Sequence, residues 1–255
     1  MIDEWGKGAK YWDKAWNPVI GCRKVSEGCA NCYAEGMAER FPELQDADGG
    51  FIPHCPTTQK RPPRTGVVFV GNMTDIFGDW NTDEQIRDWL YKLHMNDDVT
   101  NLILTKRPER MAKICWDDTD WDDSHWFGIT GENQERLEER MNSLLRVEHT
   151  YRWLSLEPLL GEIDLSKAGA ICDDLPWDNG FVGWVVVGAE SGANRRPCKL
   201  EWVESIVRQC RKAGIKVFVK QLDIDGELVK DIAKFPPELQ IRQVPWNAEG
   251  AKYEK

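Results

Sequence analysis

Cys22, Cys29 and Cys32 are the residues whose type and spacing most directly predict chemistry in this chain. They read CRKVSEGCANC, a Cys-x6-Cys-x2-Cys array, followed at once by YAEGMAERF at the threshold of a predicted helix. Three thiolates from one loop can hold three irons of a 4Fe-4S cluster and leave the fourth iron without a protein ligand, whereas a structural zinc site normally closes with four ligands. The closed alternative takes its fourth ligand from His54 or Cys55 in FIPHCP. The chain would then be a zinc-stapled binding module, with tryptophans stacking on bases and the basic stretches KRPPR and ANRRPCK on phosphate.

The elements that must position such a loop follow from apolar periodicity. After residue 60 a short apolar run, a polar tip and a helical stretch recur. TGVVFVGNMTD predicts a buried strand over Val67 to Val70. TDEQIRDWLYKLHM opens with Thr82 and Gln85 at capping-box spacing and places Ile86, Trp89, Leu90 and Leu93 on one helical face. Strands are expected in VTNLILTKRP, HWFGITGE, TYRWLSLEPLLG, GWVVVGAESG and KVFVKQL, with helices in RPERMAKIC, NQERLEERMNSLL and LEWVESIVRQCRKAG. Cys115 and Cys210 fall on buried helical faces, and Gly214 suits a left-handed C-cap. WNPVIG predicts a short first strand ending at VIG. WDDTDWDDSH reads as a solvated loop, and the region around Cys172 and PWDNG as irregular.

Strands alternating with helices imply an α/β fold with parallel pairing, either an open doubly wound sheet or a full or partial barrel. In both, the site lies at the C-terminal ends of the strands. Those ends carry Asn72, Thr74 and Asp75; Thr105, Lys106 and Arg107; Thr130 and Glu132; Ser155 and Glu157; Glu190 and Ser191; and Lys220 and Gln221. A sheet built only for stability has no need to gather charge at one rim. Lys106 and Lys220 suit a substrate carboxylate or phosphate, and Glu157 a general base. One domain is expected over residues 1–222, with residues 223–255 as a peripheral extension.

At 255 residues the chain can bury a sizeable core, and its net charge of −10 argues against indiscriminate binding to phosphate backbones. MIDEWGKGAKYWDKAW lacks the basic flank and apolar core of an export signal, and there is no bilayer-spanning apolar run. A cytoplasmic protein without a membrane partner is expected. In that setting eight cysteines serve as ligands or core residues rather than as disulfides. His94, His125 and His149 have no metal-ligand spacing. No Gly-x-Gly-x-x-Gly opens a helix after an early strand, which disfavours a doubly wound nucleotide binder.

The cysteine loop on the first unit of a βα-repeat chain resembles that of radical S-adenosylmethionine enzymes. WNPVIGCRKVSEGCANCYAEGMAERF, VVFVGNMTDIFGDW, LILTKRPER, WFGITGEN, WLSLEPLLG, WVVVGAESG and VFVKQL together resemble a family of phage and bacterial three-cysteine proteins catalogued as a domain of unknown function. The commonest radical-enzyme pattern is Cys-x3-Cys-x2-Cys with an aromatic before the last cysteine. Here the first spacing is six, Asn31 precedes Cys32, and the aromatic is Tyr33.

The resemblance implies a partial (β/α)6 barrel, a 4Fe-4S cluster on Cys22, Cys29 and Cys32, and S-adenosylmethionine on its open iron. Carried over by position, it makes Asn72 and Asp75 candidates to receive the methionine amino group and the glutamates of SLEP and GAESG, Glu157 and Glu190, candidates for ribose or substrate; Tyr33 and Ser155 are further cofactor candidates, and Lys106, Glu157 and Lys220 the candidates for catalysis. The reaction implied is hydrogen abstraction by a 5′-deoxyadenosyl radical, with electrons from an external donor. The phage association of the resembling family points to an isomerase in thymine hypermodification, in the host cytoplasm, acting on a modified nucleobase or DNA, while the negative net charge keeps a free nucleotide, a peptide or a tethered partner protein open as alternatives.

Overall fold

A computed structural model describes residues 9–54, 61–95, 98–115, 124–147, 151–171, 182–192 and 194–246. Eight strands form one sheet in sequence order: β1 (Lys14–Trp16), β2 (Gly66–Val70), β3 (Val99–Thr105), β4 (His125–Thr130), β5 (Arg152–Leu156), β6 (Trp184–Gly188), β7 (Lys216–Ile224) and β8 (Glu227–Val229). Every pairing from β1 to β7 is parallel, and β8 returns antiparallel on β7. A doubly wound sheet reverses its strand order at a switch point. This order never reverses, so the chain winds in one direction and leaves its helices on one face.

Those helices are α1 (Tyr33–Ala38), α2 (Asp83–His94), α3 (Pro108–Cys115), α4 (Gln134–Leu145) and α5 (Leu200–Ala213). Thr82 and Gln85 close the capping box that opens α2, and Gly214 ends α5 at φ 71°. Val68, Val70, Ile103, Phe127, Ile129, Leu154, Leu156, Val185 and Val187 meet the apolar stripes of α2 to α5 in the larger core, which also takes in Cys115 and Cys210.

The alternate residues, Val67, Phe69, Leu102, Trp126, Trp153, Trp184, Val186 and Phe218, form a second cluster on the other face. Tyr11 is buried in it, with its ring 6.3 Å from Phe69, 6.1 Å from Trp153, 5.2 Å from Trp184 and 5.4 Å from Phe218. One side chain touching β2, β5, β6 and β7 requires a curled sheet, so this face is concave and the fold is a half-barrel with an aromatic floor.

Three expectations change. The first strand ends at Trp16, the first residue of WNPVIG, rather than at VIG, because Pro18 cannot donate to a ladder and Ile20 instead bridges antiparallel to His54. Among the described residues the parallel strands number seven rather than six. The expected domain boundary at residue 222 falls inside β7, which turns back at Asp225 (φ 52°) and Gly226 (φ 79°) into β8. A turn with two successive positive φ values matches strand twist, and Asp-Gly is a dipeptide suited to it. Phe235, Leu239 and Trp246 from the following segment are buried in the two cores. Cys55, His149, the region around Cys172 with PWDNG, and nearly all of the Asp-rich loop lie outside the described residues.

Candidate functional site

The cysteine loop crosses the C-terminal ends of the strands and is tied to them at every few residues. Gly21 sits at φ +93° with no room for a side chain, since a Cβ would stand 2.2 Å from the Ile52 carbonyl oxygen. Its N–H donates to Met73 O at 3.1 Å, and Thr74 Oγ1 donates to its carbonyl at 2.7 Å. Arg107 Nη2 donates to Arg23 O at 3.0 Å. Asn133 and Arg136 both donate to the Glu27 carboxylate, at 2.5 and 3.1 Å. Arg196 Nη1 donates to Glu27 O at 2.9 Å, and Asn31 Nδ2 donates to Glu190 Oε2 at 2.9 Å. The Tyr33 hydroxyl donates to the Asn72 carbonyl, and Asn72 Oδ1 accepts from Asn17.

All six described cysteines are free thiols, and Cys22, Cys29 and Cys32 are partly exposed while the other three are buried. Burial and the Asp75 charge push the Cys22 thiol up to about 11 against the pull of Arg107, and Cys29 and Cys32 add to the rise. This donor set, soft thiols on one anchored loop, fits an iron-sulfur cluster by its chemistry. Among the described residues no group of three or more His, Cys, Asp or Glu side chains is arranged to hold a single metal ion. His54, one of the two candidate fourth ligands of the zinc alternative, turns Nδ1 to Ile52 O at 2.8 Å, and the other, Cys55, lies outside the described residues.

The expected cofactor residues divide. Asp75 is spent on protein: it accepts from Thr105 Oγ1 at 2.8 Å, Lys106 N at 3.0 Å, Phe77 N at 3.1 Å and Arg107 Nη1 at 3.1 Å. Glu190 is likewise held by the backbone N–H and guanidinium of Arg196 and by Asn31. Burial opposes the Glu190 charge, but the Arg196 and Asn31 hydrogen bonds win and lower its carboxyl. Asn72 and Tyr33 are joined to each other. Ser155 is buried on β5, on the concave side by its alternation with Leu154 and Leu156.

The expected catalytic residues face the same hollow. Lys220 Nζ lies 3.0 Å from Glu157 Oε2 and within 5.9 Å of the Tyr11 and Trp12 rings. Glu157 Oε1 is buried without a hydrogen-bond partner among the described residues, over Gly188, where a Cβ would come within 3.0 Å of it. Lys106 follows Leu102 and Leu104 on the concave side of β3. No described residue takes a hydrogen bond or ion pair from its ammonium, and its charge reaches Glu132. The rim thus holds a bare acceptor and an unengaged cation above an aromatic floor.

Sequence reasoning did not assign Asn31, Arg140 or Arg196 to the site. Arg140 left a signal: it falls on the buried face of α4 beside Leu137, Met141 and Leu144, and a buried arginine implies a buried carboxylate. That partner is Glu132, 2.6 Å away. Asn31 and Arg196 left none: the partner of Asn31, Glu190, is 159 residues away, and Arg196, only six residues from Glu190, lies on an irregular segment with no periodicity to mark a buried face.

The model of a family described as "Protein of unknown function (DUF5131)" matches residues 7–243. No curated protein and no solved structure matches the chain.

Proposed function

The chain belongs to the DUF5131 family, and we propose that it is a radical S-adenosylmethionine enzyme on a partial barrel of that type. The observation that carries the reading is the placement of three free thiols on one anchored loop over the C-terminal mouth of a curled parallel sheet. Cys22, Cys29 and Cys32 would hold the 4Fe-4S cluster. When bound and reduced, such a cluster supplies the electron that cleaves S-adenosylmethionine to a 5′-deoxyadenosyl radical.

The chain's own residues bind, orient and exclude water. Lys220 holds Glu157 Oε2 and leaves Oε1 a bare acceptor, which a donor group on the substrate would engage. Lys106 offers its cation to a carboxylate or phosphate. The packed aromatic floor closes the hollow from below and keeps bulk water from that side. The reaction class we favour is rearrangement or modification of a polar substrate, an isomerase acting on a modified thymine base being the specific form. An external donor would supply the electron.

The test is anaerobic reconstitution with iron and sulfide, then incubation with S-adenosylmethionine and a strong reductant, reading 5′-deoxyadenosine by mass spectrometry. Product is expected from the wild type and none from a chain with all three cysteines replaced by alanine. A colourless protein holding one tight zinc would overturn the reading in favour of a zinc-stapled binding module. A brown protein with a full cluster and no product would point to electron transfer or sensing.

A further inference from the structure

Three buried carboxylates stand at the ends of β2, β4 and β6, every second strand of the half-barrel. Asp75, Glu132 and Glu190 are 6%, 0% and 3% exposed, and each is paired with its own arginine, Arg107, Arg140 and Arg196. Burying a carboxylate is costly unless it is paired and hydrogen-bonded. Three such pairs under one loop call for a reason.

Each pair meets the cysteine loop within one residue of a different cysteine. Arg107, locked by Asp75, donates to the carbonyl of Arg23, the residue after Cys22. Glu132 packs beneath Gly28, the residue before Cys29, so closely that a Cβ there would lie 2.9 Å from its Cδ. Glu190 accepts from Asn31, the residue before Cys32. Arg196 also donates to the carbonyl of Glu27. A cysteine has one side-chain carbon, so anchoring the backbone beside it places its sulfur closely. Arginine forks against carboxylates are the stiffest polar anchors a rim can offer.

We infer that Asp75, Glu132 and Glu190, each fixed by its arginine, are positioning residues that set Cys22, Cys29 and Cys32 in turn before any metal group arrives, the Glu190–Arg196 pair adding a second hold at Glu27, two residues before Cys29. This rests on the reading of the cysteines as the metal-holding set. It gives Asp75 and Glu190 a task different from binding cofactor.

The experiment is iodoacetamide alkylation of the metal-free, folded protein, with the rate at each cysteine read by peptide mass spectrometry. Losing a charge-assisted bond worth about 1.5–3 kcal/mol frees its segment by roughly tenfold or more. Arg107→Gln is therefore expected to speed Cys22 by about that factor, while Cys29 and Cys32 change by less than about twofold. Glu190→Gln and Asn31→Ala are expected to speed Cys32 and spare Cys22. Glu132→Gln is expected to act at Cys29. Should the variants at buried carboxylates fail to fold, Asn31→Ala and Arg107→Gln carry the comparison.

Uniform acceleration of all three thiols, or unchanged rates in folded variants, would overturn the inference. Iron and sulfide content of the reconstituted wild type is measured beside it. A position-specific pattern in a protein that takes up no iron would leave the positioning role standing and the radical reading fallen. Uniform rates in a protein with a full cluster would do the reverse.

Discussion

Lys220 Nζ lies 3.0 Å from Glu157 Oε2, while Oε1 of the same carboxylate is buried with no hydrogen-bond partner among the described residues. The side chains are 22% and 12% exposed, so the pair falls between a surface and a buried salt bridge in worth. Lys220→Met is expected to cost about 2 kcal/mol, because it strands a carboxylate that already has one unsatisfied oxygen. Adding Glu157→Gln should recover much of that loss. Urea unfolding of the double-mutant cycle checks this, and a coupling below about 0.5 kcal/mol would show that the two act independently.

Glu132 sets an acid limit on the fold. Burial works against its charge, but the Arg140 hydrogen bonds and charge outweigh burial and hold the carboxyl down to about 2, against 4.5 for an ordinary glutamate. A carboxyl lowered by folding stabilises the protein above its unfolded value, and this contribution is lost as pH falls toward the folded one. Stability is expected to drop by roughly 3 kcal/mol between about pH 4.5 and pH 2 from this residue alone. Glu132→Gln should be less stable at neutral pH and should flatten the acid limb. An acid limb as steep as that of the wild type would assign the sensitivity to other groups.

Much of the scaffold was legible in the residues, for a physical reason. The strand from Val67 to Val70, the capping box at Thr82 and the Gly214 cap are local signals, and local signals survive folding when they agree with the core. The polar rim was legible too, since strand ends in a parallel βα fold point one way. What each rim carboxylate does was not. Asp75 and Glu190 read as available ligands, yet both are consumed by arginines, one 32 residues along the chain and one on an irregular segment with no periodicity. The concave aromatic cluster was hidden for the same reason, because Tyr11 gathers rings from four strands that only curvature brings together.

Lys106 separates binding from folding. Its ammonium makes no hydrogen bond or ion pair with a described residue, and its charge acts on the fold only as the smallest of the causes that lower Glu132. Lys106→Met is expected to leave the melting temperature within about 2 °C of the wild type and iron content unchanged. Substrate-dependent turnover should fall by roughly tenfold or more while 5′-deoxyadenosine release without substrate persists. A parallel loss of iron would mean that Lys106 supports the cysteine loop rather than the substrate.

Gly21 is the backbone position on which the first cysteine depends. Its φ of +93° is one that side-chain-bearing residues rarely adopt, and a Cβ would collide with the Ile52 carbonyl at 2.2 Å, a backbone atom that cannot swing away. The N–H and carbonyl of Gly21 are both held by the turn after β2, so the residue cannot rotate without giving up two bonds. Gly192 supplies the control, with φ +102° but no atom within 4 Å of the added carbon. Gly21→Ala is expected to cost at least about 2 kcal/mol, against about 1 kcal/mol for Gly192→Ala. Because the strain lies next to Cys22, Gly21→Ala should also lower iron loading in any fraction that folds, whereas Gly192→Ala should not. Equal costs for the two, read by chemical unfolding, would mean that positive φ alone matters and that the Ile52 contact relaxes freely.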